Sequence, residues 1–268
     1  MSAFIEKTLR GFSSASEYAA SAELLASGGG LLQDVDPRVK VAGLFGLVIV
    51  VAAARELRVI GAIFAVALVL AFGSRIPVVK LAGWVWAPVL FFSGLIALPA
   101  IFLTPGSSVF AAGGLTITSQ GLRSAAFLIS RTETASTLSA LLVLTTPWPR
   151  VLRALRTFRV PVVAVVILGM TYRYIFVILR TALEMFESRK SRTVGVLNPG
   201  DRRRLAAASV GVLLSKSLQL SGDVHLAMQS RGFRGEVYLF DDFHTRAADW
   251  CWLAGFAALG FTALWWQR

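Results

Sequence analysis

Residues 160–183 read VPVVAVVILGMTYRYIFVILRTAL, and the placement of this stretch decides the fold. At about 1.5 Å per residue, a stretch this long and this apolar could cross a hydrocarbon core of about 30 Å. Its flanks argue against a crossing. Arg150, Arg153, Arg156 and Arg159 precede it, and a second arginine cluster from Arg180 to Arg204 follows. A simple crossing would carry one cluster to the far side, against the preference of Lys and Arg for the cytoplasmic face, and would place Arg173 near mid-bilayer at a cost of about 2.5–3.5 kcal/mol. The expectation is a long helix packed near the cytoplasmic face, entering the membrane at a slant without crossing it.

The rest of the 268-residue chain fits that placement. Apolar residues make up 56% and charged residues 16%, and mean hydropathy is +0.68. An ordinary soluble enzyme is excluded, because average globular chains are about 25% charged. The net charge of +12 would suggest a nucleic-acid partner on a soluble chain. Here, 16 of the 27 Lys and Arg lie between Arg150 and Arg246 beside seven acids, the pattern of a cytoplasmic membrane flank with no nucleic acid involved.

Five further apolar blocks read as membrane spans. Val39–Ala54 and Val59–Gly73 form a tight helical hairpin around Arg55, Glu56 and Arg58. Leu81–Leu103 carries Trp84 and Trp86 at its interfacial start, and Pro88 and Pro99 should bend it. A polar, Gly-rich loop, 104–121, holds no Lys or Arg. Leu122–Thr146 is apolar except for Arg123, Arg131 and Glu133; the last two do not share a helix face, and an intramolecular ion pair is the plainer expectation for them, a charged inter-subunit contact the functional one. Ala247–Trp266 closes the chain with Trp250, Trp252, Trp265 and Trp266 at its ends and Cys251 as an apolar filler. The basic flanks at Arg38/Lys40 and Arg75/Lys80 place the N-terminus inside, with Arg55 and Arg58 in mild dissent. The fold class is thus an all-α polytopic membrane protein with about five transmembrane helices and a cytoplasmic module of three amphipathic helices. Its domains are a cytoplasmic N-terminal segment (1–38) without a cleavable signal, four spans (39–146), the module (147–246) and a last span (247–268).

Within the module, Pro147–Arg159 carries arginine at every third position and apolar residues opposite, which suits an interfacial helix contacting lipid phosphates or a partner. Arg173 reads as a buried structural residue paired with Glu184 or Glu133. Asn198-Pro199-Gly200 signals a turn before a second long helix, about Asp201–Arg231. The two long helices end alike. Ser188, Ser191 and Arg192 in one, and Ala227, Ser230 and Arg231 in the other, place small residues three apart with an arginine after the second, 39 residues separating the arginines. Small residues at i and i+3 let a neighbouring protein approach closely, and the guanidinium offers donors to a carboxylate or carbonyls. Lipid anchoring is the alternative, but it would not require the small residues.

With these motifs in place the sequence resembles the transmembrane T component of energy-coupling factor (ECF) transporters, in its cobalt-type CbiQ branch. The resemblance rests on Asp36-Pro37-Arg38-Val39-Lys40, Thr145-Thr146-Pro147, Tyr172-Arg173-Tyr174 and Ala227-Met228-Gln229-Ser230-Arg231-Gly232-Phe233, and covers roughly residue 34 to the end. It implies that two Ala-Arg-Gly-like motifs, here Ser191-Arg192-Thr193 and Ser230-Arg231-Gly232, dock on two cytosolic ABC ATPase subunits. It also implies a separate CbiM-like substrate-binding membrane subunit, a non-catalytic role, a place in the bacterial inner membrane, and cobalt as cargo, with nickel or a vitamin as alternatives. Ser replaces Ala in both motifs and Thr193 replaces Gly in the first. The chain itself should bind no cofactor or metal: it lacks a GxxxxGK[ST] loop, and Gly28-Gly29-Gly30 reads as a linker. The competing class, a membrane enzyme acting on lipid, would draw on Asp223 with His225 or Asp241-Asp242 with His244.

Overall fold

The computed structural model describes residues 10–11, 14, 21, 23–104, 107–112, 115–192, 198–233 and 246–266. They form eight helical rods: α1 (Pro37–Ala53), α2 (Leu57–Gly73), α3 (Val78–Phe102), α4 (Ser119–Thr145), α5 (Trp148–Thr157), α6 (Val162–Arg192), α7 (Pro199–Ser230) and α8 (Ala247–Trp265). A two-stranded antiparallel hairpin, β1 (Ser108–Ala112) and β2 (Leu115–Thr118), joins α3 to α4 with Ala112 opposite Leu115. The expected loop therefore carries a small sheet, and α4 begins three residues before Leu122. The protein is an all-α polytopic membrane protein in class: α3, α4, α6 and α8 are each long and apolar enough to cross a bilayer, while α1 and α2 have 17 residues each, about 25 Å.

By their internal contacts the described residues fall into two compact units, one from 22–154 with 243–268 and one from 155–242 with the first 21 residues. In the first unit, α4 packs against α1, α2 and α3, and α8 packs against α1. Leu44, Leu47, Val51, Ile60, Leu138 and Leu141 form the centre of its core, and Leu32 and Val35, ahead of α1, belong to it. The glycine run leads into a packed turn, not a loose linker: Leu31 N donates to Gly73 O, and Leu32 N to Ser74 Oγ. Gly43 lets α8 come close, since a Cβ there would overlap the Phe256 ring.

Local chemistry explains the element boundaries. Asp36 caps α1 by accepting from Arg38 N at 2.8 Å, with Pro37 at the first helical position. Pro88 lacks the N–H that Trp84 O would accept, and a π turn, Ala82–Trp86, occupies this place in α3. Trp86 does not lie free at the interface, for its Nε1 donates to Thr137 Oγ1 on α4 at 3.0 Å. Thr118 caps α4 through Gly121 N and donates to Thr104 O, tying the end of α3 to the start of α4.

Three expectations need correction here. Among the described residues Arg131 and Glu133 make no ion pair: Arg131 Nη2 donates to Ala54 O at 2.6 Å and the guanidinium lies over Phe127, while both Glu133 carboxylate oxygens are buried without a hydrogen-bond partner there. The geometry of α4 points the two side chains to different faces, and a backbone carbonyl was the acceptor within Arg131's reach. Cys251 is exposed on α8, not a core filler, because the buried face of that helix runs through Asp249, Phe256 and Gly260. Arg173 is exposed, and Glu184 lies 3.9 Å from Arg180, one turn away, so local spacing decided that pair.

Candidate functional site

The site is built on α6 and α7, which form an antiparallel hairpin. Near its closed end Arg189 of α6 donates from Nη1 to Ser209 Oγ at 3.0 Å and to Leu205 O at 3.3 Å, beside buried Ala182 and Phe186. Ser209, the buried residue of α7, also donates back to Leu205 O. Away from this joint the helices splay. A cavity of about 510 Å³ separates the stretch from Ile167 to Ile178 from the stretch Ser217 to Met228. One half of the hairpin is clamped and the other is loosely packed.

Antiparallel pairing puts the two arginine motifs at opposite ends. Arg192 closes α6 beside the start of α7, and Arg231 follows the last residue of α7, 32 residues on, or roughly 48 Å at 1.5 Å per residue. The structure therefore does not bring the motifs together; it holds them a helix length apart. Ser191, Arg192, Ser230, Arg231 and Gly232 are all exposed, and Thr193 lies outside the described residues.

Each motif conceals its polar hydroxyl. Ser191 Oγ donates to Ser188 O at 2.8 Å and Ser230 Oγ to Ala227 O at 2.9 Å. A serine whose proton is spent on its own helix presents a small, nearly apolar surface, which reconciles Ser with the Ala of the resembled pattern. Gly232 has φ +82°, and Gly232 N bonds Gln229 O while Phe233 N bonds Met228 O, closing a Schellman turn. The glycine is needed for backbone handedness, since a Cβ there would meet no neighbour. The turn ends the helix at Arg231 and leaves its side chain projecting from the tip.

Arg159 ends α5 by the same bonding pattern, with Val160 N on Leu155 O and Arg159 N on Arg156 O, but at φ +63° without a glycine, a strain of about 1–2 kcal/mol. Of the arginine stripe's apolar side, Val151 and Leu152 are buried, whereas Phe158 is exposed.

Two joints escape sequence reasoning. Lys40, buried, donates from Nζ to Thr145 O at 3.1 Å, so the two motifs around residues 36–40 and 145–147 meet where α4 ends and α5 begins. Asp249, also buried, accepts from Asp36 N at 2.9 Å and from Arg246 N at 2.8 Å, binding the starts of α1 and α8. The only early signal was a charged residue inside the first turn of each apolar block. On the competing reading, His225 Nε2 lies 3.0 Å from Gln229 Nε2 and Asp223 is exposed, while Asp241, Asp242 and His244 lie outside the described residues.

Comparison with known proteins agrees with this architecture. The family model described as cobalt transport protein, CbiQ, matches residues 29–239. An uncharacterized protein of Methanocaldococcus jannaschii is 33% identical over 213 residues, covering 78% of this chain and 73% of that protein. The cobalt transport protein CbiQ of Rhodobacter capsulatus is 28% identical over 187 residues, 66% of this chain and 70% of the relative. The energy-coupling factor transporter transmembrane protein EcfT of Listeria innocua is 25% identical over 251 residues, 89% and 94% of the two chains. With well over half of its length matched by that model, the chain belongs to the CbiQ family, and its long apolar helices fit a transporter membrane component.

Proposed function

We propose that this chain is the energy-coupling T subunit of an ECF-type importer, passing ATP-driven closure of two cytosolic ATPase subunits to a separate substrate-binding membrane subunit. The observation that carries this reading is the hairpin of α6 and α7, with a small-residue, arginine-tipped end at each extremity, about 48 Å apart. One ATPase would hold the Ser191–Arg192 end and the other the Ser230–Arg231–Gly232 end. When ATP draws the ATPases together, the two grips move, and the hairpin yields in its splayed half while Arg189 holds the clamped half.

The hairpin also bears on topology. Because α6 and α7 run antiparallel, residues of α7 at the level of the apolar stretch 162–183 include Lys216, Asp223 and His225, all exposed. Hydrocarbon around α6 would surround them as well, at a cost of several kcal/mol. This supports a hairpin that stays on the cytoplasmic side, five crossings by α1, α2, α3, α4 and α8, and an N-terminus in the cytoplasm of a cell-membrane protein. Val163, Ile167, Ile175, Val210, Leu214 and Leu218 are apolar and exposed along the two helices, and the substrate-binding subunit and the interface would cover them.

The role is mechanical and non-catalytic, with ATP held by the partners. Cobalt is the cargo favoured by the relative from Rhodobacter capsulatus, whose name carries it. The test is co-purification of the ATPases with Arg231→Glu and with Arg192→Glu. Reversing a charge at an interfacial contact costs about 2–5 kcal/mol, so recovery of the ATPases should fall at least about thirtyfold while the membrane chain still purifies folded. Undiminished recovery would overturn the reading. Cellular uptake of Co²⁺ against Ni²⁺, measured with and without the chain, assigns the cargo.

A further inference from the structure

The hydrogen bond from Asp36 N to Asp249 Oδ1 starts α8 beside the start of α1, so the two helices run parallel, and Trp266 reaches the same end as the turn between α1 and α2. At that end an apolar groove of about 350 Å³ lies among α1, α2 and α8. Arg58 and Trp266 stand at its rim, and Leu47, Ala62, Val66 and Leu259 are among its lining residues. From Arg58 to Val66 the helix rises about 12 Å, so the groove descends from the edge of the hydrocarbon towards its middle.

Its apolar lining and its depth suit a stretch of flexible hydrocarbon chain. Its charge narrows the choice of occupant. The turn carries Arg55 and Arg58 against Glu56, a positive balance at the end of α1 opposite its basic Arg38 and Lys40 flank. We infer that the groove binds one acyl chain of an anionic glycerophospholipid whose phosphate rests on the Arg58 guanidinium. The fork of donors on arginine matches phosphate oxygens, and the Trp266 indole suits the headgroup level.

Native mass spectrometry of the full chain, offered dioleoylphosphatidylglycerol and dioleoylphosphatidylcholine in equal amounts, tests this. The chain should retain phosphatidylglycerol about fivefold over phosphatidylcholine, the ratio that one interfacial arginine supplies. Arg58→Lys should keep the preference and Arg58→Ala should lose it. Ala62→Trp, made at an exposed position that leaves the charge in place, should abolish retention of either lipid by filling the groove. Equal retention of the two lipids overturns the inference, as does a preference that survives Arg58→Ala or lipid that survives Ala62→Trp. Efficient cross-linking of an Ala62→Cys variant to a partner membrane subunit, with no lipid retained by the wild type, also overturns it.

Discussion

Ser230 Oγ donates to Ala227 O and Ser191 Oγ to Ser188 O, so neither hydroxyl proton is left to donate to a partner. Ser230→Ala and Ser191→Ala should then leave ATPase recovery unchanged, with stability shifts inside about 0.5 kcal/mol, whereas Ser230→Leu should block close approach and lower recovery sharply. Gly232→Val asks for φ +82° from a β-branched residue; it should cost about 1–2 kcal/mol locally and reduce recovery while the melting temperature of the membrane chain barely moves, because the tip is exposed. Asp249→Ala acts on stability instead. It strands two backbone donors near the starts of α1 and α8 and should cost about 2–4 kcal/mol, read as a lower melting temperature in detergent, with Asp249→Asn intermediate. The arginine tips could be read from sequence because a small-x-x-small-Arg pattern is local. Asp249 could not: its partner at Asp36 is 213 residues away, and an acid in the first turn of a helix looks like an ordinary dipole partner.

At the level of elements, the proposed coupling role places transmission on the clamp between α6 and α7. Arg189→Ala and Ser209→Ala should each loosen it, and a double-mutant cycle should show a coupling of about 0.5–3 kcal/mol, since they share one hydrogen bond. The expected functional signature is ATPase activity retained with transport diminished, measured in reconstituted vesicles; equal loss of both would place Arg189 in assembly and not in transmission. Helices were legible from their apolar runs, and the structure starts α1 at Pro37 and α7 at Pro199, each two residues ahead of the expected Val39 and Asp201. The β1–β2 hairpin was not legible, because 104–121 reads as a polar, Gly-rich loop and its strands are only five and four residues long. Arg173 reads in the sequence as a buried partner of Glu184 or Glu133, but α6 buries only Val165, Ala182 and Phe186, and no one-dimensional pattern reveals how narrow a helix contact is.

For the molecule as a whole, the proposed topology rests on the distribution of charge and on the direction of α7. The asymmetry of Lys and Arg between Arg150 and Arg246 argued that 160–183 does not cross, and the antiparallel course of α7, with Lys216 and Asp223 along it, argues the same from geometry. Neither the length of the arginine-to-arginine span nor the splayed half of the hairpin could be read from the sequence, because both depend on the direction in which α7 returns. The single cysteine makes the decisive experiment simple. In a Cys251→Ser background, Asn198→Cys places one thiol at the exposed residue that precedes α7. A membrane-impermeant maleimide applied to intact cells should leave it unlabelled and should label it fully once the membrane is opened; labelling from outside intact cells would put the hairpin's closed end on the far side and contradict the coupling account.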